Sequence, residues 1–239
     1  MNVPLAGADL YYQATIWQQE EGWAERRPMA SEWFMAQLQA LRVLPVVTLD
    51  HPTSGVEVAH ALASAGLTCA EVSLRTEGAV EAITAMARAL PDMLIGAGTV
   101  MRTGQVDAAV AAGVGFVASP VVDPAVIERA RRVGMPVIPG VERDTDAIAA
   151  ARAGARVVRL SVRPGVDALE RVHHYERLFP GMQFVPVGPI ATSELAGLLR
   201  EPSVLAVGTT RLTRYGAGAA EVRAAAGEAA GEVFGPKPL

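Results

Sequence analysis

The chain has 239 residues, of which 51% are hydrophobic and 19% charged, and its formal net charge is −4. That balance excludes an intrinsically disordered chain, which combines low hydrophobicity with high net charge, and it gives no basic surplus for nucleic-acid binding. A single cysteine, Cys69, excludes an intrachain disulfide and a Cys-rich metal site.

The first residues carry Asp9, Glu20 and Glu21 and show no basic stretch leading into an apolar one, so no signal peptide is expected. No apolar run reaches the ~18 residues of a membrane span. A cytoplasmic protein with no membrane partner is the resulting expectation. Residues 1–29 form an N-terminal extension, with 11–25 as a candidate amphipathic helix carrying Trp17 and Trp23. Residues 31–41 read as a helix covering the bottom of the domain that follows.

From residue 43 one unit repeats. Short apolar runs occupy 43–49, 69–74, 93–97, 115–118, 136–139, 156–161, 183–187 and 204–207. Each is too short for a helix and reads as a strand buried on both faces. Between them, 53–65, 77–90, 103–112, 123–133, 145–153, 166–178 and 192–199 have helical spacing, and 216–233 forms a last Ala-rich helix. Thr53, Thr103, Asp123 and Thr192 are candidate N-caps, and Gly66, Gly113, Gly134 and Gly154 candidate C-terminal stops. Eight strands alternating with helices predict an α/β protein, a (β/α)8 TIM barrel over residues 30–239 behind an N-terminal helical extension. An open doubly wound sheet is the alternative, but no Gly-x-Gly-x-x-Gly follows the first strand.

A barrel of this kind carries its chemistry at the C-terminal ends of the strands. In Ala70-Glu-Val-Ser-Leu-Arg-Thr76, alternation puts Glu71, Ser73 and Arg75 on one face. A carboxylate buried against apolar walls suits general-base work, and an arginine at a strand end suits a substrate carboxylate; a structural Glu71–Arg75 ion pair is an equal reading. Arg159 and Ser161 share a face of a later strand, and a buried guanidinium must be paired or functional. Its structural reading is as the partner of Glu71. Gly188 and Gly208-Thr209-Thr210 resemble a phosphate cradle in the last two loops, weakened by Pro189, which has no N–H to donate. His173-His174 lie on a helix away from the strand ends and read as a solvated face. No spacing offers two His plus a carboxylate, so neither metal nor cofactor is expected.

Five segments, Leu44-Pro-Val-Val47, Gly66-Leu-Thr-Cys-Ala-Glu-Val-Ser-Leu-Arg-Thr76, Ile95-Gly-Ala-Gly-Thr-Val100, Phe116-Val-Ala-Ser-Pro120 and Met135-Pro-Val-Ile-Pro-Gly140, occur in order. Over about residues 35 to 215 the chain resembles the 2-keto-3-deoxy-6-phosphogluconate (KDPG) / 4-hydroxy-2-oxoglutarate (KHG) aldolase family. The resemblance implies a (β/α)8 barrel and a homo-oligomer, typically a trimer. It also implies cleavage of 2-oxo acids to pyruvate and an aldehyde through a lysine Schiff base, so a small-molecule 2-oxo carboxylate is the expected partner. By that resemblance Glu71 falls on the general acid/base. Arg75 and Thr99 fall on the pyruvyl carboxylate site, with Thr76 in the same motif. Gly188, Gly208 and Thr210 fall on the phosphate loops. The Schiff-base position falls on Arg159, and the only lysine of the chain is Lys237. Arginine stays protonated and forms no useful iminium. The expectation is therefore a lysine-free enzyme in which Glu71 transfers protons while Arg75 and Arg159 stabilise carboxylate and enolate. A non-catalytic carboxylate-binding barrel and a different chemistry on a phosphorylated ligand remain open beside it.

Overall fold

The computed structural model describes residues 23–235. The candidate helix over 11–25 lies outside the described residues except for its last three positions, and Lys237 lies outside them entirely. Helix α1 (Trp23–Leu41) starts earlier than the expected 31–41. Its Phe34 and Leu38, one turn apart, are 3% and 1% exposed. They pack with Leu44, Leu94, Val157 and Leu205, and the Phe34 ring lies 5.2 Å from that of Phe116. These partners sit at or just before the first residues of their strands, so α1 closes the N-terminal end of the lumen with apolar side chains.

The barrel then runs β1 (Val43–Val47), α2 (Pro52–Ser64), β2 (Cys69–Ser73), α3 (Ala79–Ala89), β3 (Leu94–Gly98), α4 (Thr103–Ala111), β4 (Phe116–Ala118) and α5 (Pro124–Arg132). It continues with β5 (Val137–Ile138), β6 (Gly140–Val141), α6 (Asp144–Arg152), β7 (Val157–Ser161), α7 (Ala168–Leu178), β8 (Gln183–Gly188), α8 (Thr192–Leu198), β9 (Val207–Thr209) and α9 (Ala219–Phe234). All paired strands are parallel, in the order β5-β4-β3-β2-β1-β9-β8-β7-β6. The two ends of that order are consecutive pieces of one stave, interrupted only at Pro139. Proline cannot donate to a ladder, but its carbonyl accepts the Arg159 N–H at 2.9 Å. Val137 thus faces β4 and Gly140 faces β7. Nine strands form eight staves of a nearly closed (β/α)8 barrel.

Period-two alternation divides the core. Val43, Val47, Ala70, Val72, Ile95, Val158 and Leu160 point outward to the helices. Leu44, Val46, Cys69, Leu94, Phe116, Val157 and Val185 fill the lower lumen. The final strand differs from the expected 204–207. Val204 makes only an isolated bridge to Phe184, and the ladder runs on to Thr209. Hydropathy ends at Val207 because the strand continues with Gly208 on the lumen side and Thr209 on the helix side.

Helix starts also depart from expectation at three of four caps. His51, not Thr53, is the N-cap of α2, and its ring Nδ1 accepts the Thr53 N–H at 3.2 Å while Pro52 takes the first helical position. Arg102 and Ala191 precede α4 and α8, and Glu194 Oε2 accepts the Ala191 N–H at 2.7 Å. Asp123 caps α5 as expected, accepting from Ala125 N at 2.8 Å and Val126 N at 3.2 Å. The four stop glycines adopt φ values of 92°, 87°, 68° and 74°, the left-handed region that costs glycine least.

Candidate active site

The middle and upper lumen hold a polar group. Glu71, at the centre of β2, is 1% exposed, and its Oε1 accepts a hydrogen bond from Arg159 Nη1 on β7 across the barrel. The Arg159 side chain is 16% exposed. Its structural partner is thus the carboxylate expected from the sequence, and Arg75 is not part of the pair. The hydrogen bonding of Glu71 is confined to Oε1, and the other guanidinium N–H groups of Arg159 meet no protein acceptor among the described residues.

The carboxylate has room because the adjacent stave carries no side chains there. Glu71 registers with Gly96. A Cβ at Gly98 would overlap Glu71 Oε1, and one at Gly96 would overlap the Phe116 ring. Gly96 admits the ring that plugs the lower lumen, and Gly98 admits the carboxylate above it.

Above Glu71, Ser73 and Thr99 share a hydroxyl hydrogen bond of 2.8 Å. Thr99 has φ 58°, one of two non-glycine residues with positive φ among the described residues. A β-branched residue in the left-handed region costs roughly 1–3 kcal/mol and persists where surroundings impose it, often at binding sites. Ser161, on the same face of β7 as Arg159, makes no hydrogen bond through its hydroxyl among the described residues. Arg75 lies beyond the end of β2, exposed and without an ion-pair partner among the described residues. Thr76 is used differently: its hydroxyl donates to the Leu49 carbonyl and pins the rim.

The last two loops are stitched to each other. Thr210 N donates to Gly188 O at 3.0 Å, and the Thr210 hydroxyl reaches the same carbonyl at 3.4 Å. The buried Thr209 hydroxyl donates to Ile190 O at 2.8 Å and accepts from Arg211 N at 3.1 Å. The amides a phosphate cradle would offer here are therefore partly spent. Sequence reasoning missed Arg211. Its Nε donates to Pro189 O at 2.7 Å, which leaves both terminal amino groups of an exposed guanidinium unpaired at this loop. The available signal was a cation directly after Gly208-Thr209-Thr210. A third fastener joins the rim: Tyr215 Oη donates to Asp50 Oδ2 at 2.8 Å, and this bond raises the phenol above its usual pKa of 10.0. Cys69 lies below Glu71, and burial pushes its thiol up to about 12, so it serves packing and not nucleophilic chemistry.

This architecture matches known proteins. A family model of KDPG and KHG aldolases aligns with residues 34–223. The chain belongs to that family. A 2-dehydro-3-deoxy-phosphogluconate aldolase of Treponema pallidum is 37% identical over 171 residues, covering 72% of this chain and 81% of the relative. One of Pseudomonas aeruginosa is 35% identical over 172 residues, covering 71% and 77%. The crystal structure of the 2-keto-3-deoxy-6-phosphogluconate aldolase of Zymomonas mobilis with 3-phosphoglycerate superposes with TM-score 0.74 at 29% identity, covering 82% of this chain and 94% of that one. The KDPG aldolase of Legionella pneumophila, with pyruvate captured as a covalent carbinolamine, gives 0.70 at 25% identity and covers 83% and 95%. Family and fold support an aldolase-family lyase. Among the described residues, no helix is long and apolar enough to cross a membrane.

Proposed function

We propose that this family member acts on a small 2-oxo carboxylate without forming a Schiff base. The carrying observation is the Glu71–Arg159 pair inside the lumen of a chain whose only lysine is Lys237. The Legionella relative holds pyruvate as a carbinolamine, and a carbinolamine needs an amine; a guanidinium does not supply one.

In this reading the substrate carboxylate meets Arg75, Thr99 and Ser161, and its carbonyl oxygen approaches the free N–H groups of Arg159. Glu71 takes the proton of the C4 hydroxyl, the C3–C4 bond breaks, and the aldehyde leaves. The bonding pair moves to the C2 carbonyl oxygen as an enolate, which the fixed positive charge of Arg159 stabilises. The carboxyl of Glu71 then returns the proton to C3, giving pyruvate. The same two groups exchange C3 protons of free pyruvate. Arg211, with Thr210, Gly188, Gly208 and Thr209 shaping its loop and Thr76 holding the neighbouring rim after β1 and β2, receives the far, anionic end of the substrate. A trimer in the cytoplasm is proposed from the family alone.

One observation favours a second reading. Glu71 is already bonded to Arg159, as in a purely structural ion pair, and the barrel would then bind a carboxylate without turning it over. Exchange of pyruvate C3 protons in heavy water, followed by proton NMR, separates the two. The catalytic reading expects exchange by the wild type, a loss of about 100-fold or more in Glu71→Gln, and no adduct with pyruvate and borohydride. Absent wild-type exchange, or exchange unaffected by Glu71→Gln, installs the second reading.

A further inference from the structure

Outside the lumen, three metal-ligating side chains converge where α7 meets the turn after α8. His173 and Glu176 are three residues apart on α7 and so project from one face. Glu201 reaches them from the turn. One ligand atom of each lies within 4.8 Å of the other two, and His173 Nε2 is 3.2 Å from Glu201 Oε2. A cation bound at roughly 2.1 Å spaces its neighbouring ligands by about 3–3.4 Å. Small side-chain rotations therefore complete the set.

The scaffold beneath is held in place. Glu201 N donates to Leu198 O at 3.2 Å, and Glu201 O accepts from Val204 N at 3.0 Å. Val172 and Tyr175, on the same turn of α7 as His173, are 0% and 2% exposed. Two carboxylates are gathered here around one imidazole, and no arginine pairs with either of them among the described residues. The neighbouring His174 does not join them; its Nε2 lies 2.9 Å from Asp144 Oδ1.

We propose that His173, Glu176 and Glu201 bind one first-row divalent cation, tying α7 to the turn after α8. One imidazole nitrogen with two carboxylate oxygens suits Zn2+, Co2+ or Mn2+ better than the hard Ca2+ or the thiophilic Cu+. Three protein ligands leave the remaining positions to water. The site is separate from the lumen, so it stands whether or not Glu71 is catalytic.

The test uses the full, untagged chain stripped with EDTA. Co2+ is titrated by calorimetry and visible absorption, and Zn2+ is then added as competitor. One equivalent is expected, displaced by Zn2+ and accompanied by a rise in Tm. His173→Ala and Glu201→Gln should each weaken binding by about tenfold or more, whereas His174→Ala should leave it unchanged. These side chains lie at the surface, and circular dichroism verifies that each variant is folded. No saturable Co2+ binding up to about 1 mM, the weak end of specific cation sites, overturns the proposal. So does binding that survives His173→Ala and Glu201→Gln, or that His174→Ala weakens equally. The three side chains then form only a surface ion pair with a neighbouring carboxylate.

Discussion

Replacing Arg159 by leucine strips the buried Glu71, 1% exposed, of its only hydrogen-bond and ion-pair partner among the described residues. Removing one member of a buried pair costs about 3–5 kcal/mol, because the other charge stays desolvated and uncompensated. At about 2–4 °C per kcal/mol for a chain of this size, Tm should fall by roughly 6–20 °C. Glu71→Gln/Arg159→Leu should recover much of it, giving a coupling of about 2 kcal/mol in the double-mutant cycle. Thermal and guanidinium unfolding followed by circular dichroism measure all four corners. A loss below about 1 kcal/mol for Arg159→Leu, or corners additive within about 0.5 kcal/mol, refutes the claim that these charges depend on each other. Arg159→Lys is the informative companion. It keeps a cation opposite Glu71, so the barrel should stay folded, and it supplies a primary amine at the same place. Pyruvate with borohydride should then leave a covalent adduct on this variant and none on the wild type.

Three further outcomes follow from the same geometry. Gly98→Ala should displace the Glu71 carboxylate, because the new methyl overlaps Oε1; a misplacement of about 1 Å is worth about 100-fold in rate, and unchanged proton exchange would show that the carboxylate is not the base. Arg211→Ala should raise KM for a 2-oxo acid with a distal anionic group and leave exchange of pyruvate, which lacks that group, at the wild-type rate; equal effects on both substrates would remove Arg211 from substrate recognition. Cys69 ionises less readily folded, at about 12, than at its ordinary 9.0. Its contribution to stability is therefore complete below pH 9 and is lost as pH rises from 9 toward 12. A thiol reagent at pH 8 should label the native chain only after denaturant is added, and prompt native labelling would show that the lower lumen opens.

The fold was legible where hydropathy repeats and obscure where packing is paid in glycine. Val43 to Val47, Cys69 to Ser73 and Val157 to Ser161 read as strands because both faces are apolar, one against helices and one against the lumen. The end of the last strand was not legible, since Gly208 and Thr209 carry no hydropathy signal, and neither was the break of the fifth stave at Pro139. The caps failed for a related reason: His51 works through a ring nitrogen, and Glu194 reaches back to Ala191 from within the helix, which a search for hydroxyl caps overlooks. At the site, alternation placed Glu71 and Arg159 on lumen faces and their burial demanded partners, so the pair followed from the sequence as one of two alternatives. Arg75 was expected on the same face as Glu71, but the strand ends at Ser73 and Arg75 lies exposed beyond it. No pattern in the sequence told which hydroxyls are spent: Thr76 and Thr209 fasten loops, whereas Ser161 is open.

That distribution of spent and open groups bears on what the lumen recognises. A phosphate cradle works by presenting several unpaired backbone amides to one anion. Here proline at 189 offers none, Thr210 N is committed to Gly188 O, and Arg211 N is committed to the Thr209 hydroxyl. A guanidinium held by Pro189 O stands at the same loop instead. Deeper in the lumen, a second guanidinium, that of Arg159, stands opposite Glu71. Each guanidinium is a planar, permanently charged fork, a geometry that suits carboxylate and enolate oxygens. Both guanidiniums support the proposed reading of a substrate held by charge and geometry at both ends, and the differential response of Arg211→Ala to long and short 2-oxo acids reports on one end as Arg159→Lys reports on the other.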